Sequence, residues 1–204
     1  MLYALVIVGC LAVAALCMAS QAVRIYNRFV QLDNHCDNSF SQVEIQLKRR
    51  YDLIPNLVEA VRGYIDHERE TLEKVIAARN QAAQGLSAAT QEGASAGAMS
   101  QWMGAESTLV GALGKMSFVM EDYPELKANE NVAALTEELR STENRIAFAR
   151  QAFNDWCTTF NVYRESFPNI MFAGSFGFNE EKALLDFDAE PEIQNAPKVQ
   201  LVSA

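Results

Sequence analysis

Along residues 132–167, core-type side chains return at alternating steps of three and four: Val132, Leu135, Leu139, Thr142, Ile146, Ala149, Phe153, Trp156, Phe160, Tyr163 and Phe167. A repeat of about 3.5 residues keeps one seam of a helix facing its neighbour and winds long helices around each other with a left-handed supercoil. This is the packing of a four-helix bundle, and it fixes an all-α fold with long antiparallel helices. The aromatics from Phe153 onward need no explanation beyond that core.

The same spacing marks three earlier helices. Over residues 24–51 the stripe is Ile25, Phe29, Leu32, Cys36, Phe40, Val43 and Leu47, with Asp33, Asp37, Glu44 and Lys48 off it. Residues 53–84 carry Leu57, Val61, Tyr64, Leu72, Val75 and Ile76, and residues 102–122 carry Trp102, Leu109, Leu113, Met116 and Met120. Gly111 and Gly114 each weaken that third helix by about 1 kcal/mol relative to Ala, which suggests a close neighbour there. Tyr123-Pro124 stops it, and Pro168 ends the fourth helix, predicted over 130–167. Glu137, Glu138, Arg140, Glu143 and Arg145 read as the outer charged face of that helix.

A turn at Asp52 is expected between the first two helices. Lys48, Arg49 and Arg50 supply cations suited to a helix C-terminus, Asp52 is an N-cap candidate, and Pro55 fits the first turn of the next helix. One unbroken helix of some sixty residues would reach about 90 Å, longer than any later partner in the chain. The alternative is a single helix kinked at Pro55. Residues 81–104, rich in Ala, Gly, Ser, Gln and Thr, read as a flexible connection. After Pro168, the phenylalanines 172, 176 and 178 with Gly174 and Gly177 predict an extended segment folding back over one end of the bundle. The acidic run that follows predicts a flexible tail over 179–204.

Residues 1–23 contain no charged side chain. As a helix they rise about 35 Å, enough for a hydrocarbon core of about 30 Å, so they are read as a transmembrane segment contacting the lipid bilayer. The competing reading is a cleaved leader, with small residues near Cys17-Met18-Ala19; Ile7-Val8-Gly9-Cys10 also loosely matches a lipoprotein cleavage site. No basic residue precedes the apolar run, and neither Gly nor Pro occurs between Gly9 and Pro55, which favours a retained anchor continuous with the first bundle helix. Arg24 and Arg28 flank the span on its C-terminal side, so the positive-inside rule places the remaining domain, the bundle of residues 24–178, in the cytoplasm, anchored once in the cell inner membrane.

The inventory of chemical groups is thin. Twenty-six acidic against seventeen basic residues give a net charge of −9, which argues against a nucleic-acid surface. Gly93-Ala94-Ser95-Ala96-Gly97 matches G-x-S-x-G, but no strand precedes it and both histidines, His35 and His67, come earlier in the chain. His67-Glu68 lacks the second histidine of a zinc motif, no phosphate loop or dinucleotide fingerprint occurs, and no metal or cofactor is expected. Cys36 and Cys157 read as buried reduced thiols rather than as a disulfide.

Residues 46–59, Q-L-K-R-R-Y-D-L-I-P-N-L-V-E, resemble the signature of the LemA family, bacterial proteins with an N-terminal membrane helix followed by a long-helix bundle. Tyr26-Asn27-Arg28, the stretch Y-P-E-L-K-A-N-E-N at 123–131, E-N-R-I-A-F-A-R at 143–150 running on through Phe153-Asn154, Phe167-Pro168-Asn169 and Phe176-Gly177-Phe178 resemble further parts of the same family. The resemblance covers roughly residues 26–178 and implies no enzymatic activity. The expected function is a membrane-anchored scaffold or adaptor that self-associates as a homo-oligomer or docks a membrane protein partner. The expected contact residues are Lys48, Arg49, Arg50, Asp52, Asn56, Glu59 and Arg62. The alternative is a regulatory subunit of a membrane protease or hydrolase.

Overall fold

The computed structural model of the protein describes residues 1–91 and 96–186, and among these residues it is all-α with no strand. The helices are α1 (Leu2–Arg62), α2 (Arg69–Gln91), α3 (Ala96–Glu121), α4 (Pro124–Ala128), α5 (Glu130–Glu165) and α6 (Ile170–Ala173), with a single 3₁₀ turn, Asp66–Glu68, before α2. Two compact units divide the chain: unit 1 is built from Met1–Val43 and Ala147–Leu184, and unit 2, among the described residues, from Glu44–Ile146 with Leu185 and Asp186.

Unit 2 holds the first departure from expectation. No turn forms at Asp52, and α1 continues through Pro55 to Arg62. Proline has no N–H for the carbonyl four residues earlier, which leaves the Tyr51 carbonyl without its helical donor. Arg79 of α2 takes over that role, donating from Nε to the Tyr51 carbonyl at 2.8 Å. The helix therefore passes the proline with its backbone satisfied. It ends instead at Arg62-Gly63, and the Tyr64 and Ile65 amides close the last turn on the Val61 carbonyl at 2.9 and 3.3 Å. Four long helices remain, with the first boundary moved from residue 52 to residue 63.

The small-residue stretch after residue 81 is likewise helix for the most part. Ala78, Ala82, Leu86 and Ala89 form the buried stripe of α2, so its small residues are core positions. A Cβ built on Gly85 would lie 3.1 Å from the Trp102 Cα, showing how closely α2 and α3 approach. Gly111 and Gly114, expected to mark such an approach, have nothing within 4 Å of an added Cβ. Gly93, Ala94 and Ser95 of the G-x-S-x-G match lie outside the described residues.

Pro124 opens α4, and Asn129 then caps α5, its Oδ1 accepting from the Asn131 and Val132 amides at 3.0 and 3.2 Å. The Asn129 side-chain amide also donates to the Tyr64 hydroxyl at 2.9 Å, fastening the start of α5 beside the end of α1.

In unit 1, α1 and α5 run antiparallel with their stripes facing. The rings of Phe29 and Phe160 are 5.9 Å apart, His35 stacks on Trp156 at 4.1 Å, and Phe40 meets Phe153 at 5.6 Å. Cys36 and Cys157 lie buried in this seam as free thiols. A hydrogen bond from the Cys157 thiol holds the Cys36 pKa below its ordinary value; that bond, with burial, pushes Cys157 up. Phe167, counted into the α5 stripe by its spacing, lies beyond the helix end and is exposed.

The chain folds back after α5 as expected, but through a short helix. Beyond α6, Gly177 takes a positive φ of 88°; the Phe178 amide reaches the Ala173 carbonyl at 2.9 Å and the Gly177 amide reaches Gly174 at 3.3 Å, the Schellman pattern. This turn delivers Phe178 to stack on Phe29 at 4.8 Å. The tail expected to be free from residue 179 is in fact held at its start. Asn161 and Lys182 exchange two hydrogen bonds of 2.8 and 2.9 Å, and Lys182 Nζ pairs with Asp33 at 2.6 Å. Burial opposes the Lys182 charge, and Asp33 and Asp37 outweigh it, leaving its pKa raised. Residues 187–204 of the expected tail lie outside the described residues.

Candidate functional site

Three successive cations, Lys48, Arg49 and Arg50, sit mid-helix on α1, where each step of one residue turns the side chain by about 100°. They consequently do three different things. Lys48 is exposed and pairs with Glu44 one turn earlier at 2.6 Å. Arg49 reaches across to Glu138 of α5 at the surface. Arg50 points inward and is only 1% exposed, so it leaves the set of surface contacts that the sequence suggested.

Arg50 occupies the stripe itself, between Leu47 and Ile54, both buried. Its Nη2 pairs with Glu106 of α3, and its Nη1 donates to both carboxylate oxygens of Glu143 of α5 at 3.1 Å. Glu106 is 0% exposed and fills the α3 stripe between Trp102 and Leu109. The Tyr51 hydroxyl donates to Glu106. Burial and the adjacent Glu106 carboxylate push the Tyr51 pKa well above its ordinary value. Burial works against the Arg50 charge, but Glu106 and Glu143 outweigh it, so its pKa is raised. A protonated phenol, a permanent cation and two carboxylates thus form a polar core that ties α1, α3 and α5 together.

Glu143 was expected on the outer charged face of α5. It is half-buried because Arg50 draws it inward. Of the other expected contacts, Asp52 is exposed with Arg79 at 3.8 Å, and Glu59 pairs with Arg62 at 3.4 Å, both of the latter exposed. Lys48, Arg49, Asp52 and Asn56 are brought together with Ile45, Leu53 and Glu138 around one open depression of about 390 Å³. Glu59 and Arg62 do not join it. Among the described residues no group of three His, Cys, Asp or Glu is gathered as a metal site.

Sequence reasoning missed Glu106 and misplaced Arg50, though the signal was present. Continuing the count of three and four through α3 gives Met99, Trp102, Glu106, Leu109, Leu113 and Met116, all buried. The same count through α1 gives Val43, Leu47, Arg50, Ile54, Leu57 and Val61. One charge on each stripe, opposite in sign, is the pattern of a buried ion pair.

Residues 39–201 match the model of the LemA family. The chain belongs to the LemA family. The match takes in the whole Arg50–Glu106–Glu143 core and begins beyond the apolar segment 1–23. Curated relatives of this LemA-family chain include the magnetosome proteins MamQ 1 and MamQ 2 of Paramagnetospirillum magneticum (strain ATCC 700264 / AMB-1), each 24% identical over 191 residues that cover 86% of this chain and 70% of the relative. The magnetosome protein MamQ of Magnetospirillum gryphiswaldense is 24% identical over 171 residues, 75% of this chain and 62% of that protein.

Proposed function

We propose that this LemA-family chain is a non-enzymatic, membrane-anchored helical scaffold. In this reading residues 1–23 cross the cell inner membrane once and the helical body faces the cytoplasm. The chain then self-associates or docks a membrane protein through exposed faces of the body.

One observation carries the reading. Leu5, Val6, Ile7 and Val8 are consecutive and all exposed, so the start of α1 presents large apolar groups around its whole circumference, whereas from Ile25 onward the same helix buries a single stripe. A helix apolar on every side and without partners needs a hydrocarbon solvent. Its length and composition suffice to cross a membrane. Arg24 and Arg28 beside its C-terminal end favour a cytoplasmic body. The buried charges Arg50 and Glu106 are engaged with each other, which supports a structural role for them.

The docking face we assign is the depression at Lys48, Arg49, Asp52 and Asn56, whose rim includes the exposed Ile45. Cross-linking and sizing of the full-length protein in mild detergent tests the scaffold reading: an assembly larger than one chain, or a retained partner, is expected, and a monomer that retains nothing contradicts it. Reversing Lys48 and Arg49 to Glu should weaken that association while leaving helix content unchanged.

A further inference from the structure

The chain from residue 167 to 178, F-P-N-I-M-F-A-G-S-F-G-F, contains no charged side chain, although Glu165 and Glu180 lie just outside it. Its fold divides these residues into an inner and an outer set. Ala173 is buried and Phe172 half-buried, while Phe167, Ile170 and Met171 stand 81%, 56% and 67% exposed. The arrangement is held firmly from within. Buried Asn169 donates from its side chain to the Tyr163 carbonyl at 3.0 Å, its own carbonyl accepts from Phe172 and Ala173 at 2.9 Å, and Gly177 fixes the exit turn. Three large apolar side chains are therefore presented outward by a built support.

The level of this patch along α1 decides what covers it. The Tyr26 ring is 5.3 Å from Phe176 and 6.4 Å from Phe178, and Phe176 stacks on Phe172 of α6 at 5.8 Å. The fold-back thus sits beside the first turn of α1 beyond residue 23. Consistent with that level, Ala22 is half-buried and Ile25 buried, whereas the preceding described residues of α1 are exposed. Tyr26 lies about 5 Å of helix rise past residue 23, at headgroup depth if residues 1–23 span. Exposed arginines 24 and 28 flank it and suit phosphate headgroups.

We infer that Phe167, Ile170 and Met171 insert into the lipid interface next to the span, giving unit 1 a second, non-spanning contact with the bilayer. This rests on the anchor reading above. The contact fixes how unit 1 meets the membrane surface, because one helix alone leaves rotation and tilt free while two contacts do not.

The test places tryptophan at the patch in the full-length chain, reconstituted in phosphatidylcholine vesicles with or without bromine on the acyl chains near the glycerol end. Emission from Trp102 and Trp156 is subtracted using the unsubstituted protein. Phe148→Trp, at an exposed position on α5 about 26 Å of helix rise before that helix ends at Glu165, is the comparator. For Phe167→Trp, roughly half or more of the added emission should be lost to brominated lipid, with little quenching by aqueous iodide, as for an interfacial side chain. Phe148→Trp should behave oppositely. Met171→Trp repeats the measurement in case the substitution at 167 disturbs the turn. Quenching of both patch tryptophans by iodide and not by bromine would overturn the inference in favour of water, and shielding from both quenchers would overturn it in favour of a second copy or another protein. Vesicle flotation separates the two levels: protein that fails to float defeats the anchor itself, whereas protein that floats with unquenched patch tryptophans defeats only this contact.

Discussion

Arg79→Met tests how α1 survives its proline. The Arg79 Nε hydrogen bond to the Tyr51 carbonyl is 2.8 Å long, and Tyr51 is buried, so its removal leaves a buried carbonyl with no donor from Pro55. Losing a hydrogen bond to a charged group costs about 1.5–3 kcal/mol. The accompanying Asp52 pair is 3.8 Å long with Asp52 82% exposed, and it adds no more than about 1 kcal/mol. With a urea slope of about 2 kcal/mol/M, the midpoint should fall by about 1–2 M. In a Pro55→Ala background the new Ala N–H can donate to the Tyr51 carbonyl, and the cost of Arg79→Met should drop below about 1 kcal/mol. Urea unfolding of the four proteins of this cycle, followed by helical circular dichroism in mild detergent, measures the coupling. Equal costs in both backgrounds would refute the claim that Arg79 substitutes for the missing amide.

Arg50→Met should cost about 3–5 kcal/mol in the same assay, because it strands the Glu106 carboxylate in the core, while Arg50→Met with Glu106→Leu should lie near the parent. An Arg50→Met protein as stable as the parent would contradict burial of that pair. Gly114→Ala, in open space on α3, should stabilise by about 1 kcal/mol, whereas Gly85→Ala should destabilise despite the same helix preference, since its Cβ meets Trp102 at 3.1 Å; the two denaturation midpoints should move in opposite directions. Because the Tyr51 pKa is raised in the fold, its contribution is fully present below about pH 10, the value of a free phenol, and declines as pH rises above it. Tyr51→Phe should flatten that alkaline loss of stability, and an unchanged pH profile would count against the buried phenol. Asn129→Ala should cost about 1 kcal/mol through loss of the α5 cap, seen as a lower thermal midpoint.

The apolar stripes were legible because burial depends on little more than periodicity: Phe29, Leu32, Val43 and Leu47 of α1 and Ile146, Phe153 and Phe160 of α5 are all core. The continuity of α1 was not, because proline reads as a helix boundary unless a distant donor replaces its amide, and Arg79 is 28 residues away from Tyr51. The actual stop, Arg62 followed by Gly63, carried an ordinary helix-end signal that the stronger proline masked. Composition also misled over residues 81–91, where Ala82, Gly85 and Ala89 serve close helix contact rather than flexibility. The polar core was readable only by letting Arg50 and Glu106 keep their places in the stripes. Phe167 shows the reverse failure, a position in register with the stripe that lies beyond the end of α5.

Membrane attachment through the start of α1 is most directly tested by placing charges in it. The full-length protein with Leu11→Arg and Leu16→Arg should leave the alkali-washed membrane fraction and remain helical in solution, whereas the parent stays with the membrane. Each arginine at the centre of a spanning helix opposes insertion by about 2.5–3.5 kcal/mol. A parent chain recovered in the soluble fraction, or a doubly charged chain held in the membrane as firmly as the parent, would contradict the account.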